Sequence, residues 1–168
     1  MTSSPHWIEP VLERFERPLL QYAASIAGDG APDVVQDTFL RLAENGPLDS
    51  AHVAPWLFTV CRNRALDFRR KEKRIQPMAT EPAEPLSAEP GPDAQLETKE
   101  ATLILQRLMS RLPENQREVV RLRFQCDLSY REISAVTQLG ESNVGFLLHT
   151  AIKTLRQLWP QTAEEISL

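Results

Sequence analysis

Residues 127–159 read DLSYREISAVTQLGESNVGFLLHTAIKTLRQLW, and the fold turns on this stretch. Asp127-Leu128-Ser129 is a helix-start signal. Ser129 is the N-cap, and Glu132, three residues on, completes a capping box in which side chain and backbone exchange bonds. A short helix over about 130–136 follows, then a turn at 137–141. A last helix spans about 142–158, with Val144, Leu148, Ala151 and Leu155 facing inward at spacings of three and four. A short capped helix, a tight turn and a longer helix make a helix-turn-helix, whose second helix can enter the major groove. A helical hairpin that merely packs has the same pattern, and on spacing alone both readings stand.

Upstream of this stretch, Pro113 opens a helix expected over about 114–125. Before it, residues 96–111 read as a helix with Ala101, Ile104, Leu105, Leu108 and Leu112 on one face. Residues 76–95, QPMATEPAEPLSAEPGPDAQ, hold five prolines and no apolar period. Such a segment buries too little surface to offset its ordering entropy, so an extended, proline-stiffened linker is expected.

The chain before the linker is helical as well. Over residues 5–27, Ile8, Leu12, Phe15, Leu19, Tyr22 and Ile26 share a face, with a kink or restart expected at Pro18. Gly28-Asp29-Gly30 ends that helix. The next, about 32–45, starts on Pro32 and turns Val35, Phe39, Leu42 and Ala43 inward, until Asn45-Gly46-Pro47 stops it. A helix over 53–73 buries Leu57, Cys61, Ala65 and Phe68. No strand pattern occurs. The expected fold is all-α: two small helical domains, 1–75 and 98–168, joined by an acidic Pro-rich linker at 76–97, the second domain being a helix-turn-helix.

The net charge of −4 disguises an uneven distribution. Residues 1–75 carry 10 basic and 10 acidic groups, residues 76–97 none and five, and residues 98–168 nine and eight. RNRALDFRRKEKR, residues 62–74, holds seven basic groups against two acidic ones. Arg62, Arg69 and Lys73 share a face beside the apolar stripe, where they can contact phosphates and release counterions. Trp56 and Phe58, near the start of the same helix, offer rings to unpaired bases. A solvated helix end whose cations complement the macrodipole explains two or three of the seven charges. In PDVVQDTFLRL, residues 32–42, Asp33 and Asp37 lie one turn apart with Gln36 beside them. That face can dock a basic partner, although the helix dipole by itself favours Asp33.

Other classes find little support. Cys61 and Cys126 are far apart and His6, His52 and His149 are scattered, so neither zinc nor a disulfide framework is expected. No catalytic constellation or phosphate loop is present, so no cofactor and no small-molecule substrate are expected. The stretch MTSSPHWIEPVLERF lacks the basic flank and apolar core of a secretory signal, and no run reaches membrane-spanning length. A cytoplasmic protein without membrane insertion is the expectation.

These pieces occur in a familiar order. ERPLLQYA (16–23), PDVVQDTFLRL (32–42) and APWLFTVCRNRALDFRRK (54–71) look like the first domain of the extracytoplasmic-function (ECF) group of RNA polymerase sigma factors. LPENQREVVRLRF (112–124), LSYREIS (128–134) and the last helix look like its second. The resemblance implies a subunit that binds core RNA polymerase and promoter DNA without catalysing anything. Asp33, Gln36 and Asp37, with Phe39 and Leu40, would dock on the coiled-coil of polymerase's largest subunit. The loop at about 46–53 with Trp56, Arg62, Asn63, Arg69, Arg70 and Lys73 would capture and help melt the downstream promoter element. Arg131, Ser142, Asn143, Phe146, His149, Thr150 and Lys153 would read the upstream element. The acidic linker would run through the polymerase interior as a nucleic-acid mimic.

The last helix departs from the family pattern. Gly145 and Leu147 stand where a Lys and an Arg are common, Gln138 where a glycine is usual, and Gly140 where a serine cap is usual. Weak phosphate attraction is therefore expected from this domain. An anti-sigma protein is a common family partner. A sigma-like module that titrates such a protein is the rival reading. An ordinary helix-turn-helix repressor would leave residues 32–42 unexplained.

Overall fold

The computed structural model describes residues 5–75 and 95–167. All regular structure among them is helical: α1 Glu9–Ala27, α2 Ala31–Asn45, α3 Val53–Ile75, α4 Gln95–Ser110, α5 Glu114–Val120, α6 Tyr130–Thr137 and α7 Glu141–Ser167. None of these helices is long and apolar enough to cross a membrane. The expected linker lies outside the described residues as far as position 94, and α4 already begins at Gln95, inside the stretch assigned to it.

The first three helices pack on one another. Leu19, Leu42, Leu57, Phe58, Cys61 and Ala65 are fully buried between them. The Phe58 ring stands edge-on to Tyr22 at 5.6 Å and to Phe15 at 6.5 Å. Phe58 is therefore a core residue, and no face of it is open to a base. α1 starts four residues later than expected and runs unbroken through Pro18. Gly28, at φ 56°, stops it, and a 3-10 turn over Gly28–Gly30 leads into α2. At Gly30 a Cβ would lie 2.3 Å from the Phe68 ring, so only glycine lets α3 pass so close. Ala43, expected inside, is exposed.

In the remaining helices, α4, α5 and α6 each pack on α7. Val119, Leu122, Leu128, Ile133, Val144, Leu148 and Ala151 fill their core. On α4 the buried set is Ile104, Leu108 and Met109, followed by Leu112. Leu105 and Ala101 of the expected face are exposed, and among the described residues α4 packs chiefly on α7. The helix expected over 114–125 changes pitch. After Val120 it widens to a π turn over Arg121–Gln125, closed by Cys126 N–H donating to the Arg121 carbonyl (3.1 Å). α7 runs nine residues beyond the expected end at 158. Thr162 is fully buried, and the last turns are tied to α4 and the residue after it by Ser167 Oγ donating to the Glu100 carboxylate (2.9 Å) and by Glu165 with Arg111 (3.1 Å). α3 also lies against α6 and α1 against the π turn, and one buried apolar cluster runs through both sets of helices.

Candidate nucleic-acid interface

Leu57, Cys61 and Ala65 anchor α3 to the core and so set the direction of its basic side chains. Arg62 and Arg69 emerge on the side facing α5. Arg62 donates from Nε to Glu118 Oε1 (2.7 Å) and from Nη2 to Oε2 (3.4 Å). Tyr22 Oη donates to the same Oε1 at 2.7 Å, across 96 residues of sequence. One turn earlier on α5, Glu114 Oε1 accepts from Arg69 Nη1 at 3.0 Å. The bond to Glu118 holds the Arg62 guanidinium above its ordinary pKa, and burial raises the Tyr22 phenol well above its own. Two expected DNA contacts are thus engaged by carboxylates of α5.

The other α3 residues are more open. Asn63 and Lys73 are exposed, and Arg70 pairs with Asp67 in an exposed i,i+3 contact of 3.3 Å. Trp56 is half-buried against the core. The loop before α3 is locally ordered. Asp49 Oδ1 accepts from the amides of Ala51 (3.0 Å) and His52 (3.1 Å), and the His52 ring bonds to it at 2.6 Å. That ring bond chiefly holds the Asp49 carboxyl below its ordinary pKa.

On α2, Asp33 and Gln36 are exposed and Leu40 is 58% exposed, so these three form an open face. Asp37 is half-buried and shared between Arg64 (2.9 Å) and Arg41 (3.3 Å). Phe39, placed by the resemblance among the docking residues, is 8% exposed and belongs to the core. It supports the face from behind.

The helix-turn-helix has the local chemistry expected of it. Ser129 Oγ accepts from the Glu132 amide (3.2 Å) while Glu132 Oε2 accepts from the Ser129 amide (2.7 Å). Gln138 takes the left-handed conformation at φ 63°, which explains why glycine is usual there. Arg131, Ser142, Asn143, Phe146, His149 and Lys153 are all exposed, and Thr150 is half-buried. Along α7, Ser142, Phe146, His149 and Lys153 repeat at four, three and four, which gives one outward face. Leu147 points into the core, 7% exposed, so leucine rather than a cation suits its environment. Gly145 lies under the Tyr130 ring, where an added Cβ would meet it at 3.5 Å.

Nothing local in the sequence marks the Glu118 junction with Tyr22 and Arg62. The only available signal is the i,i+4 pair Glu114 and Glu118 on α5, an acidic edge with a basic helix elsewhere in the chain to meet it.

Residues 11–75 match the Sigma-70 region 2 family model, and residues 102–155 match Sigma-70, region 4. The chain is 31% identical over 157 residues to the ECF RNA polymerase sigma factor SigM of Bacillus subtilis, covering 90% of this chain and 94% of that one. The chain belongs to the ECF sigma factors. The ECF sigma factor RpoE of Cereibacter sphaeroides is 33% identical over 138 residues, 80% of this chain and 72% of that one. Two solved structures share the fold. One is RpoE bound to the anti-sigma factor NepR from Bartonella quintana, with TM-score 0.63 and 21% identity over 89% of this chain and 96% of that one. The other is CnrH in complex with the cytosolic domain of CnrY, with TM-score 0.59 and 20% identity over 90% and 86%. In this ECF sigma factor the region 2 match takes in α2 and α3, and the region 4 match ends within α7.

Proposed function

We propose that the chain is an RNA polymerase sigma factor, acting in the cytoplasm, that carries core polymerase to promoters and helps melt them. It does so by binding and positioning, with no catalytic step of its own. Residues 1–75 serve polymerase and the downstream element, residues 98–168 the upstream element. The observation that carries this reading is the pairing of two different exposed faces with two family regions in order. The Asp33, Gln36 and Leu40 face of α2 lies within region 2, and the Ser142 to Lys153 face of α7 lies within region 4.

The polar face of α2 suits a basic polymerase surface, with Asp37 held in register by Arg41 and Arg64. The basic side of α3 supplies phosphate contacts through Arg62, Arg69, Arg70 and Lys73, while Asn63 and Trp56 lie where an unpaired base can reach them. On α7 the contacts are mostly neutral, so upstream readout rests on hydrogen bonds and on Phe146 against a base edge rather than on charge.

Two measurements test this. Wild-type protein should co-purify with core polymerase from bacterial extract, and Asp33→Ala/Asp37→Ala should lose that retention. Arg62→Ala/Arg69→Ala/Lys73→Ala should bind core polymerase nearly normally but open promoters poorly. The slope of log affinity against log salt should become shallower by about 0.7–0.9 for each lost phosphate contact. Equal loss of both activities in the triple variant would refute the assignment of α3.

One observation favours a second reading. Lys153 and Arg156, one turn apart, are the cations along the exposed α7 face, which is sparse for a DNA helix. A sigma-like module that titrates an anti-sigma protein would need none. Failure of the folded wild type to bind polymerase, with capture of a small protein instead, would select that reading.

A further inference from the structure

Phe146 is 66% exposed, and its neighbours on the outward face of α7 are polar rather than apolar. Asn143 lies three residues before it and Thr150 four after it, so the three share one strip of the helix. Across the first two turns, residues 141–148, the one charged side chain is Glu141. It stands two residues before Asn143 and so faces away from it. Gly145 leaves a gap beside the strip. A Cβ there would meet the Tyr130 ring at 3.5 Å, an ordinary contact, so the gap has room for a side chain. Tyr130, the first residue of α6, borders the gap, and the Arg123 guanidinium lies over its ring at 5.7 Å while donating to the Leu128 carbonyl at 2.9 Å. The cations of α7 come later: Lys153 is seven residues past Phe146, about 10 Å further along the axis, and Arg156 lies beyond it.

We infer that α7 selects A·T base pairs in the upstream element: Asn143 takes an adenine, and Phe146 takes the 5-methyl group of a neighbouring thymine. The inference rests on the assignment of α7 to upstream DNA. In the major groove guanine shows two acceptors, O6 and N7, which suit Arg or Lys, and cytosine shows an amino donor, which suits a carboxylate. The strip offers neither. The Asn143 amide carries a donor and an acceptor side by side, the set that matches adenine N7 and N6. A phenyl ring has no hydrogen bond to give, and the thymine methyl is the apolar group that a base edge presents in this groove. Covering the exposed ring with that methyl is favourable, whereas setting it against guanine or cytosine strands a polar edge without a partner. Ser142, His149 and Thr150 can serve any base pair. A recognition helix puts its N-terminal residues on base edges, and the helix before it crosses the backbone. Lys153, Arg156 and Arg131 of α6 therefore meet phosphates, which set affinity and register but not sequence. Gly145 removes the remaining position from which a cation could reach a base beside Phe146.

The test uses the full chain reconstituted with core polymerase and a pool of promoter DNA in which the upstream element is randomised. Wild type should enrich neighbouring A·T pairs. Asn143→Ala should lose at least about fivefold of the preference for adenine at one of them. Replacing the selected thymine by deoxyuridine deletes only its methyl group and should weaken binding by wild type about fourfold, the contribution of one buried methyl. Phe146→Ala should bind the thymine and deoxyuridine sites equally. Gly145→Arg, which fills the gap with a cation, should bring guanine into the selected sequence. Enrichment of G·C pairs by wild type overturns the inference, as does a deoxyuridine penalty that persists in Phe146→Ala. A Gly145→Arg protein with unchanged preference also overturns it, since the first turns of α7 would then not face bases. A holoenzyme that initiates without any upstream preference has the same meaning. If no sequence in the pool supports initiation, the assignment of the chain to promoters fails first, and the base readout falls with it.

Discussion

Two residues with no functional group of note decide whether α2 and α3 fit. Gly30 closes the turn between α1 and α2, and the Phe68 ring of α3 lies where its Cβ would be. Its φ of −77° suits any residue, so the demand is for space alone. Gly30→Ala should destabilise the protein by about 1–3 kcal/mol through overpacking. A thermal melt would show the loss, and Gly30→Ala/Phe68→Leu should recover part of it. A full-stability Gly30→Ala protein would mean that the ring moves freely. The clash was not legible in the sequence, where Gly28-Asp29-Gly30 reads as a helix stop and Phe68 as one more apolar position 38 residues away. Phe58 differs from expectation for a related reason. It lies in a motif rich in functional residues, and the packing of α1, α2 and α3 turns its ring inward, whereas the inward face of Phe39 is already given by its spacing.

At the scale of elements, local chemistry was readable and tertiary support was not. The capping box of α6 is a four-residue signal, and Ser129 with Glu132 forms it as expected. α6 has eight residues, too few to be stable through its own hydrogen bonds. Ser129→Ala should therefore cost about 1 kcal/mol and shorten hydrogen-exchange protection of the α6 amides first. Uniform loss of protection across α4 to α7 would instead show that the cap matters to the whole unit. By contrast, the end of α7 expected at 158 falls nine residues short. The helix goes on through Pro160, which removes a donor and crowds the carbonyl one turn back, and its last turn is bonded by Arg111, just past α4, and by Glu100 of α4. The π turn after α5 is also a tertiary product. It brings Arg121 and Leu122 inside, and burial pulls the Arg121 pKa down to about 10.

Taken whole, the molecule couples its two sets of helices through groups that lose protons only at high pH. Burial pushes the thiols of Cys61 and Cys126 up to about 12 from an ordinary 9.0, and burial then Glu118 push the Tyr22 phenol well above 10.0. In the unfolded chain these protons leave near the ordinary values, so above pH 9 the native state holds more protons than the unfolded one. Stability then falls as pH rises, by about 1.4 kcal/mol per pH unit for each such proton. The unfolding temperature should be flat from pH 7 to 8.5 and drop through pH 9–11. Cys61→Ala/Cys126→Ala should delay the onset of that drop towards pH 10. An onset unchanged in that variant would assign the whole effect to tyrosine. None of this long-range coupling had a signature along the chain, because Tyr22, Arg62 and Glu118 are joined across 96 and 56 residues.

The 27-residue α7 is about 40 Å of continuous helix. Its first half carries the face proposed above for DNA, and its second half is tied to α4 through Glu165 with Arg107 and Ser167 with Glu100. It is a lever with a fixed grip at the far end. On the reading proposed above, any rotation imposed on Phe146 and His149 becomes a rotation of α4, and so of its first residue, Gln95. The tilt of the proposed DNA-facing turns and the heading of the start of α4 are therefore a single mechanical variable.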